Sequence, residues 1–315
     1  MSYTVYVDGQ EGTTGLQINE LLARRRDIEV LRIAGDLRKD DAERARLLNA
    51  ADVVFLCLPD QAAREAASWV TNPRTCVIDA STAHRVDPGW VFGLPELERE
   101  QRDRLRQHKR ISNPGCHATA FILLIRPLVD AGVIDADAAL SATSITGYSG
   151  GGRKLIEQYE TRPLPQRLQS PRPYGLALGH KHVPEMTRWA GLQTRPVFMP
   201  IVANFYKGLA VSVPLHLSAL TSGTDARRLH DALGERYADE RFVKTMPLSD
   251  VAALDAGYFD VQACNDTNRC EVFVFGGADQ AILIARLDNL GKGASGAAVQ
   301  SMNLHLGLDE GLGLV

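Results

Sequence analysis

Over the first third of the chain, apolar runs of strand length alternate with amphipathic stretches of helix length. "YTVYVDG" (3–9) reads as a strand, residues 13–26 as a helix and "IEVLRIAG" (28–35) as a second strand. Residues 40–50 predict a helix, "ADVVFLCLP" (51–59) a strand, 60–71 a helix and "TCVIDAS" (75–81) a fourth strand. Strands this continuously apolar are buried on both faces, as in parallel sheets covered by helices. The alternation therefore predicts an α/β fold built on a doubly wound, mostly parallel sheet.

The pattern changes after residue 116. Residues 141–147, 195–218, 258–264 and 270–287 are strand-like, the last two flanking the turn-rich "NDTN", and polar loops such as 160–175 interrupt them. Antiparallel strands with a few helices predict a second, α+β domain. From Gly293 onward a small-residue helix carries apolar positions that need a surface to pack on. The mixed-sign run 96–110, "ELEREQRDRLRQHKR", reads as a solvated helix face.

Composition narrows the class. The chain has 315 residues, 45% hydrophobic and 23% charged, with a formal net charge of −3, which fits two globular domains. That balance argues against a nucleic-acid or membrane-surface partner. No run reaches the ~20 apolar residues of a membrane span, and "MSYTVYVDGQ" has no secretion-signal pattern, so a cytoplasmic protein is expected. Five cysteines, an odd number over a long chain, do not form a disulfide framework. Cys57 and Cys76, inside apolar runs, read as packing residues, as do Cys264 and Cys270 beside the "NDTN" turn.

Candidate chemistry begins at the first strand–helix junction. "GQEGTTG" places Gly9, Gly12 and Gly15 where a phosphate can approach the backbone and meet the N–H groups of a helix start. The spacing G-x-x-G-x-x-G is not the commoner dinucleotide fingerprint, but its position in a βαβ series favours a dinucleotide. After the second strand, Asp36 suits the ribose 2′-hydroxyl of NAD, whereas Arg38 and Lys39 suit the 2′-phosphate of NADP. The balance leans to NADP.

Cys116 follows a Pro-Gly turn and precedes the apolar run "ATAFILLIRPLV". A thiol at a buried helix start gains thiolate character from the dipole and the backbone N–H groups, which makes Cys116 a candidate nucleophile. His117 is adjacent on the same helix and so is a poor partner for the sulfur. His180 and His182, in "GHKHVPEM", fall on one side of an extended segment and are candidates for acid/base and substrate contact, in either order. H-x-H with a cysteine also suits zinc, but no further acidic or cysteine ligand has convincing spacing, and no metal is expected. The remaining histidines read as surface or packing residues. A second glycine loop, "TGYSGGGRK" (146–154), can point N–H groups at an anion.

Together these pieces resemble the N-acetyl-γ-glutamyl-phosphate reductases of the shorter type, which serve arginine biosynthesis. The resemblance rests on "GQEGTTG", "LCLPD", "DASTAHR", "GLPEL", "NPGCHAT", "GYSGGGRK", "GHKHVPEM", "FMPIVANFYKGL" and "DNLGKGASGAAVQSMN", in order over nearly the whole chain. Aspartate-semialdehyde dehydrogenases are the wider relatives. The resemblance implies a Rossmann-type dinucleotide-binding domain (1–115), a catalytic and oligomerisation α+β domain (116–290) and a C-terminal helix (291–315) returning to the first domain. It implies NADPH-dependent reduction of an acyl phosphate through a Cys116 thioester, with His180 and His182 assisting. Gly9, Gly12, Thr13, Thr14, Gly15, Arg38, Lys39, Pro59, Ser81 and Asn289 are then the expected cofactor contacts. Arg85, Asn113, Ser149, Gly150 and Arg153 are the expected substrate contacts, and a homodimer or tetramer is the expected assembly. Gln10 and Glu11 depart from the alanine-rich loop of longer members, and an acidic side chain near a pyrophosphate is electrostatically odd unless it points away. Two alternatives stay open: a reductase of another acyl phosphate such as aspartyl phosphate, and a non-catalytic dinucleotide-binding sensor.

Overall fold

In the computed structural model, which describes residues 2–315, the alternating first third forms strands and helices in the expected order. These are β1 (Tyr3–Asp8), α1 (Thr13–Ala23), β2 (Ile28–Leu31), α2 (Asp41–Ala50), β3 (Val53–Leu56), α3 (Asp60–Trp69) and β4 (Cys76–Asp79). Then come β5 (Val91–Phe92), α4 (Gln101–Gln107) and β6 (Arg110–Ser112). The six strands are ordered β2-β1-β3-β4-β6-β5, and every pairing is parallel. Period-2 alternation buries both faces. Val5, Val7, Val53, Phe55 and Ile78 pack on one side with Ile18 and Leu22 of α1, while Tyr6, Val54, Leu56 and Val77 pack on the other with Leu47, Leu48 and Ala66. Chain order reverses about β1, which separates β2 from β3. A doubly wound sheet binds its ligand in the crevice beyond the carboxyl ends of such strands.

The chain divides into two compact units: residues 2–115 with Ala294–Val315, and Cys116–Gly293. In the first, the C-terminal helix Gly296–His305 buries Ala298, Val299 and Met302 in the same core cluster as α1 and the sheet. The second begins with α5 (Cys116–Asp130), followed by β7 (Ser141–Gly147), α6 (Arg153–Glu160), β8 (Arg172–Pro173), α7 (Val183–Trp189) and β9 (Val197–Ala203). It continues with β10 (Leu209–His216), α8 (Ala226–Tyr237), β11 (Val243–Thr245), the short pair β12 (Leu254–Asp255) and β13 (Tyr258–Phe259), β14 (Cys270–Gly276) and β15 (Gln280–Leu287). Seven of these strands form one sheet in the order β11-β14-β15-β10-β7-β9-β8. Helices α5 and α8 cover one face.

Several expectations change in detail. The second sheet is mixed, because β7 pairs parallel to β9 and β11 parallel to β14. The apolar run 195–218 is two strands, broken by a turn ending at Gly208, whose φ of +118° is open to glycine but not to side-chain-bearing residues. Likewise 270–287 is a hairpin turning at Gly276–Gly277, and only Tyr258–Phe259 of 258–264 is strand. The charged run 96–110 is helical only over Gln101–Gln107, where buried Gln101 and Leu105 anchor it.

Candidate active site

Cys116 is the first residue of α5, so its thiol sits at the positive end of that helix dipole. Phe121, Ile122, Leu123, Leu124 and Ile125 are all buried behind it. At about 1.5–3 kcal/mol each, their burial amounts to roughly 10 kcal/mol of gross stabilisation, which fixes where the helix begins. A second constraint comes from the other end of the unit. A Cβ on Gly293 would lie 2.7 Å from the Cys116 Cβ, so only glycine fits there. Gly293 belongs to a turn of π-helix (Gly291–Ser295), and its N–H donates to the Asp288 carbonyl at 2.9 Å.

Around the thiol the chain gathers three imidazoles. The ligand-type atoms of Cys116, His117 and His182 all lie within 4.8 Å of one another. The His180 ring is 4.8 Å from that of His182 and 5.5 Å from that of His117, centroid to centroid. His182 is buried and stands immediately before α7, and its backbone N–H donates to His180 Nδ1 at 3.2 Å. Its Nε2 is 4.0 Å from the buried Glu185 carboxylate, one helical turn on. His117, which adjacency alone set aside, is thus drawn into the cluster. Its Nδ1 is 2.8 Å from the Ser144 hydroxyl of β7 and its Nε2 is 3.1 Å from the Tyr174 hydroxyl. Burial, aided by the neighbouring His180 and Lys181 charges, pushes the His117 pKa down to about 3. A neutral ring is the result. Tyr174 is pushed up, first by burial and then by the charge of Cys116.

His180 also lines a cavity of about 380 Å³ with Leu178, Val183, Thr187, Arg188 and Arg195. One wall is aliphatic, and two guanidinium groups border it. Leu178 has a φ of +57°, the left-handed region a branched side chain rarely adopts, in the loop that carries His180.

The other expected substrate contacts fall in different places. Ser149 is buried, and its hydroxyl accepts from Asn289 Nδ2 at 3.0 Å, while Asn289 Oδ1 accepts from the Gly208 N–H at 2.8 Å. Asn289, expected at the cofactor, is therefore in the second unit and ties Ser149 to the β9–β10 turn. Exposed Gly150 adjoins it. Arg153 instead forms an exposed i,i+4 pair with Glu157 at 2.8 Å. In the first unit, Arg85 is buried and donates to the Asn113 and Ala80 carbonyls, so it serves as a backbone clamp. Asn113 donates through Nδ2 to the Ala294 carbonyl and through its backbone N–H to the Asp79 carbonyl, which holds the turn before Cys116.

The glycine loop fits a dinucleotide. Gly12 is the N-cap of α1 and provides no side-chain cap, which leaves Thr13, Thr14 and Gly15 to open the helix with their N–H groups. A Cβ on Gly9, at φ +88°, would lie 2.3 Å from the Cys57 carbonyl oxygen, and one on Gly15 would lie 2.5 Å from that of Gly9. Glu11 is paired with Arg38, which also donates to the Gly35 carbonyl at 2.8 Å, and this pairing answers the oddity of an acid in the loop. Lys39 is exposed beside it, and Pro59 caps α3 at the end of β3. The Ser81 hydroxyl, after β4, donates to Asp79 at 2.7 Å, and the same carboxylate oxygen is 2.7 Å from His84 Nδ1.

Residues 4–105 match the family described as semialdehyde dehydrogenase, NAD binding domain, and residues 116–289 match its dimerisation domain. A protein of Nostoc sp. named N-acetyl-gamma-glutamyl-phosphate reductase 2 is 46% identical over 98% of both chains. The N-acetyl-gamma-glutamyl-phosphate reductase of Burkholderia cenocepacia is 46% identical over 96% of this chain and 97% of its own. The chain belongs to the N-acetyl-γ-glutamyl-phosphate reductase family. The fold extends further: aspartate semialdehyde dehydrogenase II of Vibrio cholerae superposes with a TM-score of 0.69 at 17% identity, over 97% of this chain and 98% of that one. Membership bears out the fold class and the family resemblance, and with them an NADP-dependent oxidoreductase that takes a small-molecule substrate. Sequence reasoning missed His117 and Tyr174 as neighbours of the thiol, and Ser144 as the partner of His117. The only signal for them was the residue type: His117 in "NPGCHAT", Ser144 in "SATSITG" and Tyr174 in "SPRPYG".

Proposed function

We propose that this chain reduces N-acetyl-γ-glutamyl phosphate to N-acetylglutamate semialdehyde and phosphate with NADPH, through a thioester on Cys116, in arginine biosynthesis. The observation that carries the mechanism is the thiol at a helix start with a ring nitrogen of His182 within 4.8 Å of the sulfur. Cys116 attacks the acyl carbon, the acyl–phosphate bond breaks, and phosphate leaves. The cofactor's chemistry, when bound, is hydride donation to that carbon. As the carbonyl re-forms the C–S bond breaks, and the thiolate is again held by the helix start. His182 is the acid/base in this reading, because it is the member of the H-x-H pair that clusters with the sulfur, with the Glu185 carboxylate 4.0 Å from its Nε2. The oxyanion formed in each addition is met by the first N–H groups of α5.

His180 faces the cavity described above and contacts the substrate. The aliphatic wall suits the acetyl methyl, and Arg188 and Arg195 suit the α-carboxylate. Gly9, Gly12, Thr13, Thr14 and Gly15 hold the pyrophosphate, with Pro59 and Ser81 at the neighbouring strand ends, and Arg38 and Lys39 take the 2′-phosphate. Ser149 and Gly150, held by Asn289, are substrate-side contacts. Arg85 and Asn113 act through the backbone they hold, and Arg153 has the weakest claim to a substrate role.

Two copies pair through the open face of the second sheet. Ile145, Val197, Met199 and Ile282 project from it, and Val197 is 55% exposed. Large apolar side chains exposed together on one sheet face mark an interface. The dimer is the unit in this reading. Among the described residues no helix is long and apolar enough to cross a membrane, and none of the five cysteines is in a disulfide. A reduced, cytoplasmic setting is the one we assign.

The test is NADP⁺ reduction with N-acetylglutamate semialdehyde and phosphate, for wild type and Cys116→Ser. Turnover that disappears in the variant supports the reading, and turnover that survives removes Cys116 from the chemistry. Turnover with aspartate semialdehyde alone would move the substrate to the related acyl phosphate.

A further inference from the structure

The geometry points to a second use of the thiol cluster: Cys116, His117 and His182 bind a thiophilic divalent cation, with Zn²⁺ the reference ion, and its occupancy reversibly silences the enzyme. One thiolate and two imidazoles are the donor set a borderline-soft ion takes, with a fourth tetrahedral position left for water or a substrate oxygen. Their donor atoms lie within 4.8 Å of one another. A tetrahedral ion with bonds of roughly 2.0–2.3 Å holds its donors somewhat less than 4 Å apart. The cluster must therefore close by about an ångström, which is within the range of side-chain rotation.

Orientation is already provided for one ligand. His117 Nδ1 is held by the Ser144 hydroxyl at 2.8 Å, the arrangement by which an outer partner fixes a metal-binding imidazole. Its Nε2 would exchange the Tyr174 hydroxyl, at 3.1 Å, for the ion. Binding forms a Zn–S bond and two Zn–N bonds from lone pairs. The Cys116 proton goes to solvent, and no electrons are transferred. Coordination draws electron density from the sulfur and lowers its nucleophilicity toward the acyl carbon, and the His182 nitrogen that the ion takes cannot carry a proton. Metal binding stands on the donors alone, whereas silencing rests on the reading of Cys116 as nucleophile.

The experiment separates the two. Full-length wild type, Cys116→Ser and His117→Gln, each checked for folding by circular dichroism, are titrated with Co²⁺ and Zn²⁺. Wild type should show a thiolate-to-cobalt charge-transfer band saturating at one ion per chain, and Zn²⁺ should displace it. The band should be absent in Cys116→Ser, and the affinity should fall at least about 10-fold in His117→Gln. In parallel, one equivalent of Zn²⁺ should abolish wild-type turnover and EDTA should restore it. Absence of the band, or a band that persists in Cys116→Ser, overturns the site. A band with the predicted dependence but undiminished turnover overturns the silencing and, with it, the nucleophile assignment rather than the metal site.

Discussion

The buried, neutral His117 makes the second unit sensitive to acid in a calculable way. Its folded pKa is held at about 3, against 6.5 for the free side chain. Above pH 6.5 the ring is neutral in both folded and unfolded chains and contributes nothing to the pH dependence. Between the two values the unfolded chain binds the extra proton, so stability falls as the pH is lowered through this window, by at most about 1.4 kcal/mol per pH unit. From pH 6.5 to about 4.5 the loss is on the order of 2–3 kcal/mol. His117→Gln retains an amide able to donate and accept toward Ser144 and Tyr174 but cannot titrate. The variant should start about 1 kcal/mol less stable at neutral pH, from poorer hydrogen-bond geometry, and then lose less on acidification. Urea unfolding followed by circular dichroism at a series of pH values reads the difference directly. His305, also lowered by burial, and the carboxylates lowered by arginine partners, such as Asp27, are common to both proteins and cancel. Parallel stability–pH lines for the two proteins would show that His117 is not held neutral, and the burial argument would fail.

Three other outcomes are expected. Gly293→Ala places a methyl 2.7 Å from the Cys116 Cβ and 3.1 Å from the Asp288 carbonyl oxygen, so kcat should fall on the order of 100-fold and stability by about 1–3 kcal/mol. Activity within twofold of wild type would show that the π-turn does not set the position of the thiol. Arg38→Ala should weaken NADPH at least about 10-fold by calorimetry while leaving NADH nearly unaffected, since only the former offers the 2′-phosphate. An equal loss for both would give Arg38 no part in the choice. Val197→Asp puts a charge on the open face of the second sheet, and light scattering should find a monomer for the variant and a dimer for wild type.

What could be read from the sequence was what local chemistry encodes. Alternating apolar runs specify a parallel sheet buried on both faces, because period-2 patterning without a polar face has no other stable arrangement, and the packing of Val5, Tyr6 and Val7 to opposite sides is that pattern realised. The glycine loop was legible because Gly9 and Gly15 sit where any Cβ would strike a carbonyl oxygen. Cys116 was legible because a thiol at the mouth of an apolar helix is locally conspicuous. Where the fold chooses a polar side chain's partner, the residue type was visible and the partner was not. Arg85 and Arg153 read as candidates for the substrate's phosphate or carboxylate; one donates to two backbone carbonyls and the other pairs with Glu157. Asn289 read as a cofactor contact, and nothing in the sequence signalled that its amide also bonds Ser149 and Gly208. The neighbour rule that dismissed His117 is sound for one helix considered by itself, since adjacent side chains diverge by about 100°. It fails when a third element closes the angle. Here His182, arriving before α7, stands close to both the Cys116 sulfur and the His117 ring. Convergence of this kind depends on the sheet that brings β7 alongside β9, with Ser144 on β7 and Phe198 on β9 both against His117. No sequence spacing records it.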